Sequence, residues 1–209
     1  MTEGLRAGAA ARIGLLGGSF NPPHLAHLAL AHAALQALRL DEVWWLPAGQ
    51  PWQKAGSALE AAGHRAAMVR LLIQGEPRFR LDERELRRPG PTYTVDTVRA
   101  CRAQHPAASF FLILGQDQYG RLDTWHEWQA LVAEVTLAVA ARGGQQPMPP
   151  PALAGHPHRL EVLPLPDMPV SSTALREALL REDEVSPMVG PAVAGYIARH
   201  HLYRGLTPT

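Results

Sequence analysis

Apolar positions along the 209-residue chain fall into two patterns, short unbroken runs and longer stretches with one apolar face. The runs RIGLLG (12–17) and SFFLILG (109–115) predict buried strands, and EVWWLP (42–47), VTLAVAA (135–141) and RLEVLPL (159–165) predict further strands. FRLDEREL (79–86) predicts a further short one. Spacing of three and four predicts helices over 24–38, 59–74, 94–104, 123–133, 171–181 and about 187–200. Pro22 and Pro23 stand where a chain enters the first helix, and a Ser/Thr run opens the fifth. The stretch 143–158 reads as a flexible Pro/Gly-rich loop, and residues 1–11 as a frayed lead-in.

Strands alternating with helices predict an α/β fold. The expectation is a Rossmann-like, doubly wound, mostly parallel sheet with helices on both faces and a C-terminal helical segment. One domain over 1–209 is expected, with no internal repeat. Ligands of such sheets collect outside the carboxyl ends of the strands. GGSFNPPHLAH (17–27), Gly115 and Arg142 each follow a strand, so they are expected to converge on one edge.

Composition narrows the partners. A formal net charge of +1 without a basic block gives no nucleic-acid or membrane surface, so bound phosphates must be met by a few placed groups. The N-terminus carries no long apolar core of a targeting segment, and no apolar run is long enough to span a bilayer; a cytoplasmic protein is the expectation. A single cysteine, Cys101, allows neither an intrachain disulfide nor a cysteine zinc site. Of the 20 basic residues only Lys54 is a lysine, and it lies in the loop after the second strand.

The chemistry starts in GGSFNPPHLAH. Gly17 and Gly18 permit a tight turn and close approach of a ligand. A helix N-terminus follows, with unpaired N–H groups and a partial positive charge. His24 and His27 share one side of its first turn and can donate to phosphate oxygens. The text matches neither G-x-G-x-x-G nor G-x-x-x-x-G-K-[ST], and two histidines without a third ligand make a poor metal site. PVSSTALREAL (169–179) places Ser171, Ser172 and Thr173 at a second helix start with Arg176 one turn on. Taken alone, that is a plain N-cap; paired with the first motif, it is a second anion site. GQD (115–117) follows the fourth predicted strand, TWHEW (124–128) offers two indoles, and PTYT (91–94) opens a helix. Trp44, Trp45 and Trp128 read as packing residues.

The first and last motifs resemble G-[TS]-F-[DN]-P-x-H-x-x-H and [IV]-S-[SA]-T-x-[IL]-R of the nucleotidyltransferase superfamily that carries an H-x-G-H signature. With LDEREL (81–86), PTYT, ILGQD (113–117), TWHEW and YIARHHLYR (196–204), the chain from about 12 to 204 resembles the bacterial nicotinate mononucleotide adenylyltransferases. Ala26 stands where the signature has glycine, and Gln53 where PxxxPxHK has histidine, while Lys54 remains.

The resemblance implies joining of nicotinate mononucleotide to ATP, giving the deamido dinucleotide and pyrophosphate, with Mg²⁺ accompanying the triphosphate. It implies that His24, His27 and Arg176 act on the reacting phosphates. Gly17, Gly18, Ser19, Phe20, Lys54, Gly115, Asp117, Arg142, Ser172 and Thr173 would line the ATP site. Tyr93, Thr94, Trp125 and His126 would form the pyridine pocket. Two alternatives stay open: a relative on the same fold acting on nicotinamide mononucleotide or phosphopantetheine, and a nucleotide sensor without catalysis.

Overall fold

The structure, a computed structural model, describes residues 10–51, 59–140, 145–165 and 168–204. The central predicted strands form where apolar runs are covered on both faces, whereas the edge strand after the Pro/Gly-rich stretch is exposed at every residue but Leu163. They are β1 (Arg12–Gly18), β2 (Glu42–Pro47), β4 (Phe79–Leu81), β6 (Ser109–Gly115), β7 (Thr136–Ala140) and β8 (Arg159–Leu163), with two two-residue strands, β3 (Gln50–Pro51) and β5 (Pro91–Thr92). The main sheet has the order β4-β2-β1-β6-β7-β8, and the β1–β6, β6–β7 and β7–β8 ladders are parallel. The order reverses at β1 and β6, which run side by side in the same direction from Arg12↔Ser109 to Leu15↔Leu112. This is the expected doubly wound arrangement.

The helices are α1 (Leu25–Ala37), α2 (Ala62–Leu72), α3 (Thr94–Gln104), α4 (Gln116–Tyr119), α5 (Trp128–Glu134), α6 (Pro151–Ala154), α7 (Ser172–Leu180), α8 (Ser186–Val189) and α9 (Pro191–Arg199). Four expectations are corrected. The helix expected over 123–133 is a 3-10 turn at Leu122–Thr124 and then α5, because Glu127 takes a left-handed φ of 46° and interrupts the helix. The helix expected over 187–200 divides at Gly190, whose φ of 83° a helix cannot hold. The strand expected over 79–86 stops at Leu81, where Asp82 turns back and accepts Arg84 N–H on Oδ1 at 3.0 Å. The stretch expected to be a flexible loop contains α6, anchored by fully buried Leu153.

The chain forms two compact units, each assembled from separate segments: 1–16, 30–44 and 93–167 in the first, 17–29, 45–92 and 168–209 in the second. The first unit has its core on β6, where Phe110 to Leu114 are all buried, and on Leu137, Ala138 and Val139 of β7. Trp44 is buried here with its indole N–H donating to Glu42 Oε2 at 2.6 Å. Cys101 is buried on α3. The second unit packs α2 through Met68, Val69 and Leu72, with Trp45, Phe20 and Tyr203 fully buried. Trp44 and Trp45 are thus packing residues, as expected; Trp128 is half-buried, its ring edge-on to His156 at 5.0 Å.

Gly49 in the second unit marks a close backbone approach. A Cβ there would sit 2.2 Å from the Glu85 carbonyl oxygen and 3.3 Å from Thr92 Cγ2. A backbone atom cannot step aside as a side chain can, so Gly49→Ala is expected to cost about 1–3 kcal/mol of stability. A lower urea midpoint at an unchanged slope is the result that checks it.

Candidate active site

The loop after β1 is held in a form that sequence alone did not reveal. Phe20 takes a φ of 47°, rare for a bulky side chain, and is buried at 1% exposure. Its ring lies 5.5 Å from Trp45 and edge-on to His27 at 5.1 Å. It also lies under Gly18, where a Cβ would come within 3.2 Å of Phe20 Cζ. A Cβ on Gly17, by contrast, would meet nothing within 4 Å among the described residues. The two glycines therefore differ: a side chain at Gly18 would press on the Phe20 ring, and Gly17 leaves its backbone open. Phe20, expected among the phosphate-lining residues, contributes its ring to the packing beneath the loop.

His24 and His27 stack, with ring centroids 3.7 Å apart and planes at 27°. The His24 backbone N–H donates to His27 Nδ1 at 3.2 Å, so the neutral His27 ring carries its proton on Nε2. His24 is 6% exposed, and burial brings its pKa down from 6.5 to about 4, so it is a neutral imidazole at pH 7. Its Nδ1 is buried with no hydrogen-bond partner among the described residues.

The second anion motif is stapled onto this loop. Ser171 caps α7, its Oγ accepting the Ala174 N–H at 3.2 Å, so the plain N-cap reading holds for that serine. Ser172 and Arg176 do more. Ser172 Oγ donates to the Pro22 carbonyl at 3.0 Å, and Arg176 Nη1 donates to the Asn21 carbonyl at 3.0 Å and the Ser172 carbonyl at 3.1 Å. Arg176 Nη2 donates to Thr173 Oγ1 at 3.3 Å. Segments 150 residues apart in sequence thus meet in the second unit, where Ser172 and Arg176 hold the carbonyls of Pro22 and Asn21, between Ser19 and the His24–His27 pair in the chain.

The first unit holds the residues expected to form the pyridine pocket. Tyr93 precedes α3, Thr94 opens it, and the Tyr93 ring lies 4.2 Å from the His126 ring. Arg99, midway along α3, reaches Glu127 at 2.5 Å, which clamps Glu127 to the middle of that helix and lowers the Glu127 pKa through that hydrogen bond. Trp125 is half-buried, and its indole N–H has no partner among the described residues. Gly115 ends β6 with open space where a Cβ would point, and Asp117 is exposed on α4. Because the Arg99–Glu127 pair is exposed, Arg99→Ala is expected to leave stability nearly unchanged and to raise the Michaelis constant of a pyridine mononucleotide about two- to fivefold. Steady-state kinetics beside a thermal melt check it. Lys54 and Arg142 lie outside the described residues.

Sequence reasoning missed Asn21, Glu60 and Arg65. Asn21 is fully buried, and its Oδ1 accepts the Glu60 N–H at 3.1 Å. Arg65 was detectable: it occupies the apolar stripe Arg65–Met68–Val69–Leu72 of α2, where an arginine is out of place.

The signature of the cytidylyltransferase-like family matches residues 15–178. A protein of Methylibium petroleiphilum described as a probable nicotinate-nucleotide adenylyltransferase is 54% identical over 92% of this chain and 92% of its own length. The chain belongs to the nicotinate-nucleotide adenylyltransferases. A second relative, from Bordetella petrii and described in the same words, is 50% identical over 92% of this chain and 99% of its own. The Plasmodium falciparum nicotinic acid mononucleotide adenylyltransferase complexed with NaAD superposes with a TM-score of 0.77 at 23% identity, covering 92% of this chain and 97% of that one. The same protein complexed with APC gives 0.75 at 22% identity. At that identity the likeness establishes the adenylyltransferase fold. The chain is a nucleotidyltransferase, and no helix among its described residues is long and apolar enough to cross a membrane.

Proposed function

We propose that this enzyme transfers the adenylyl group of ATP to nicotinate mononucleotide, in a step of NAD biosynthesis. A phosphate oxygen of the mononucleotide attacks the α-phosphorus of ATP. The bond from that phosphorus to the β-bridging oxygen breaks, and pyrophosphate leaves with the electron pair. A phosphate is already ionised at neutral pH, so no general base and no covalent enzyme intermediate is required. The protein contributes position and charge stabilisation.

The observation that carries the reading is the staple of α7 to the histidine loop, through Ser172 to Pro22 and Arg176 to Asn21. It assembles loop amides, two imidazoles and a guanidinium fork, a donor set suited to a triphosphate. His27 donates from Nε2 to the charge that develops on the transferring group; His24 adds a neutral donor. Thr173 and Arg176 hold the triphosphate. Trp125 stacks on the pyridine ring beside Tyr93, and backbone N–H groups near Thr94 and His126 receive the carboxylate. A carboxamide would set donor against donor there, so the acid is preferred over the amide.

ATP enters as its Mg²⁺ complex. Among the described residues no three histidine, cysteine or carboxylate side chains gather into a metal cage. Triphosphate oxygens and water would supply most ligands, as Mg²⁺ ordinarily prefers. The substrates are small nucleotides rather than nucleic acid or membrane, and the work is done in the cytoplasm.

Chromatography of a reaction holding ATP, Mg²⁺ and nicotinate mononucleotide tests this. The deamido dinucleotide and pyrophosphate should appear in equal amounts, and a chelator should stop both. ATP binding without either product would leave a nucleotide sensor.

A further inference from the structure

Arg65 is 2% exposed, and among the described residues its guanidinium pairs with no carboxylate. Backbone carbonyls surround it instead. Nε donates to Glu60 O at 3.0 Å, Nη1 to Ser19 O at 2.7 Å, and Nη2 to Ala48 O at 2.8 Å and Gly49 O at 3.4 Å. These oxygens belong to three segments: the histidine loop, the turn after β2 and the entry to α2. Glu60 passes the hold onward, its N–H donating to Asn21 Oδ1 and its carboxylate accepting the Tyr203 N–H at 2.6 Å.

A buried cation carries a large desolvation cost, and an apolar side chain would fill this stripe of α2 without it. Packing therefore does not explain the arginine; its planar fork does. A lysine offers three donors from one point and cannot serve carbonyls spread over three segments. The hold on Ser19 also sets direction. In a trans peptide the N–H points opposite to the C=O, so drawing Ser19 O towards Arg65 turns the Phe20 N–H away from it. The same contact supports Phe20 at its positive φ, a conformation that persists only where its surroundings fix it.

We propose that Arg65 is the positioning residue of the phosphate-binding loop: through Ser19 directly, and Asn21 by way of Glu60, it aims the loop amides and the His24–His27 pair, and it places a permanent positive charge behind them. The assignment rests on the adenylyl-transfer reading. Arg65 itself meets no substrate.

Three variants test it: Arg65→Lys, which keeps charge and loses the fork; Asn21→Ala, which cuts the far end of the brace; and Leu72→Ala, which opens a cavity at the far end of α2, two turns from Arg65. Melting points, kcat, both Michaelis constants and the ring resonances of His24 and His27 are measured for each. Arg65→Lys and Asn21→Ala should each lose more than about tenfold in kcat and raise the Michaelis constant for ATP, with that for the mononucleotide unchanged. Their histidine resonances should shift. Leu72→Ala should melt lower with kcat within about twofold and the resonances in place.

If Arg65→Lys is too unstable to assay, Asn21→Ala decides alone. Retained kcat and unshifted histidines in the folded variants would overturn the assignment and leave Arg65 a stability residue. A wild-type enzyme that forms no dinucleotide is a separate failure, of the adenylyl-transfer reading, visible before any variant is made.

Discussion

His27→Ala is expected to lower turnover about a hundredfold or more while changing the Michaelis constant for the mononucleotide little. His24 N–H on Nδ1 directs the His27 proton to Nε2, and the stacked His24 ring and the edge of Phe20 restrict its rotation. A donor fixed in this way strengthens its bond as negative charge gathers on the transferring phosphoryl group. Its loss is therefore felt in the transition state more than in the ground state. His27→Gln would retain a donor and lose less. Steady-state kinetics with both substrates decide it: an unchanged kcat would remove His27 from the reaction.

The second large effect is on stability. His24 has an ordinary value of 6.5 in the unfolded chain and about 4 in the fold, because burial disfavours its cation. The folded value is depressed, so between those limits the unfolded state binds a proton that the folded state refuses. Stability is then fully present above about pH 6.5 and falls as the pH drops through the folded value. Between pH 7 and pH 5 this one group should remove about 2 kcal/mol. His24→Gln has nothing to titrate, so the gap between the two proteins should shift by that amount over the same interval. Urea unfolding at the two pH values measures it. Parallel pH profiles would mean that His24 accepts its proton without cost.

Much of this was legible before the fold was known, because its signals are local. β6 is a run of seven residues, apolar after Ser109 and closed by Gly115, too short for a buried helix and matching a strand covered on both faces. His24, His27, Ser172 and Arg176 stand out through their spacing at helix starts. The missed features come from outside the local window. Nothing near residue 127 announces that Glu127 will be drawn to Arg99 and break a helix. Nothing near Pro22 announces that Ser172 will donate to its carbonyl from 150 residues away. Arg65 shows the intermediate case. Its misfit in an apolar stripe was visible, but its four carbonyls exist only after three segments have folded around it.

The proposed pocket of Tyr93, Thr94, Trp125 and His126 is what would make a pyridine, and an acid in particular, the acceptor. The phosphate side would serve any acceptor that carries a phosphate. The decisive measurement is therefore pyrophosphate release from ATP and Mg²⁺, with nicotinate mononucleotide, nicotinamide mononucleotide and phosphopantetheine compared by kcat/KM. Release should be strongest with the acid and markedly weaker with the amide. Release with phosphopantetheine alone would contradict the account, leaving the histidine loop a phosphate site and removing the pyridine pocket.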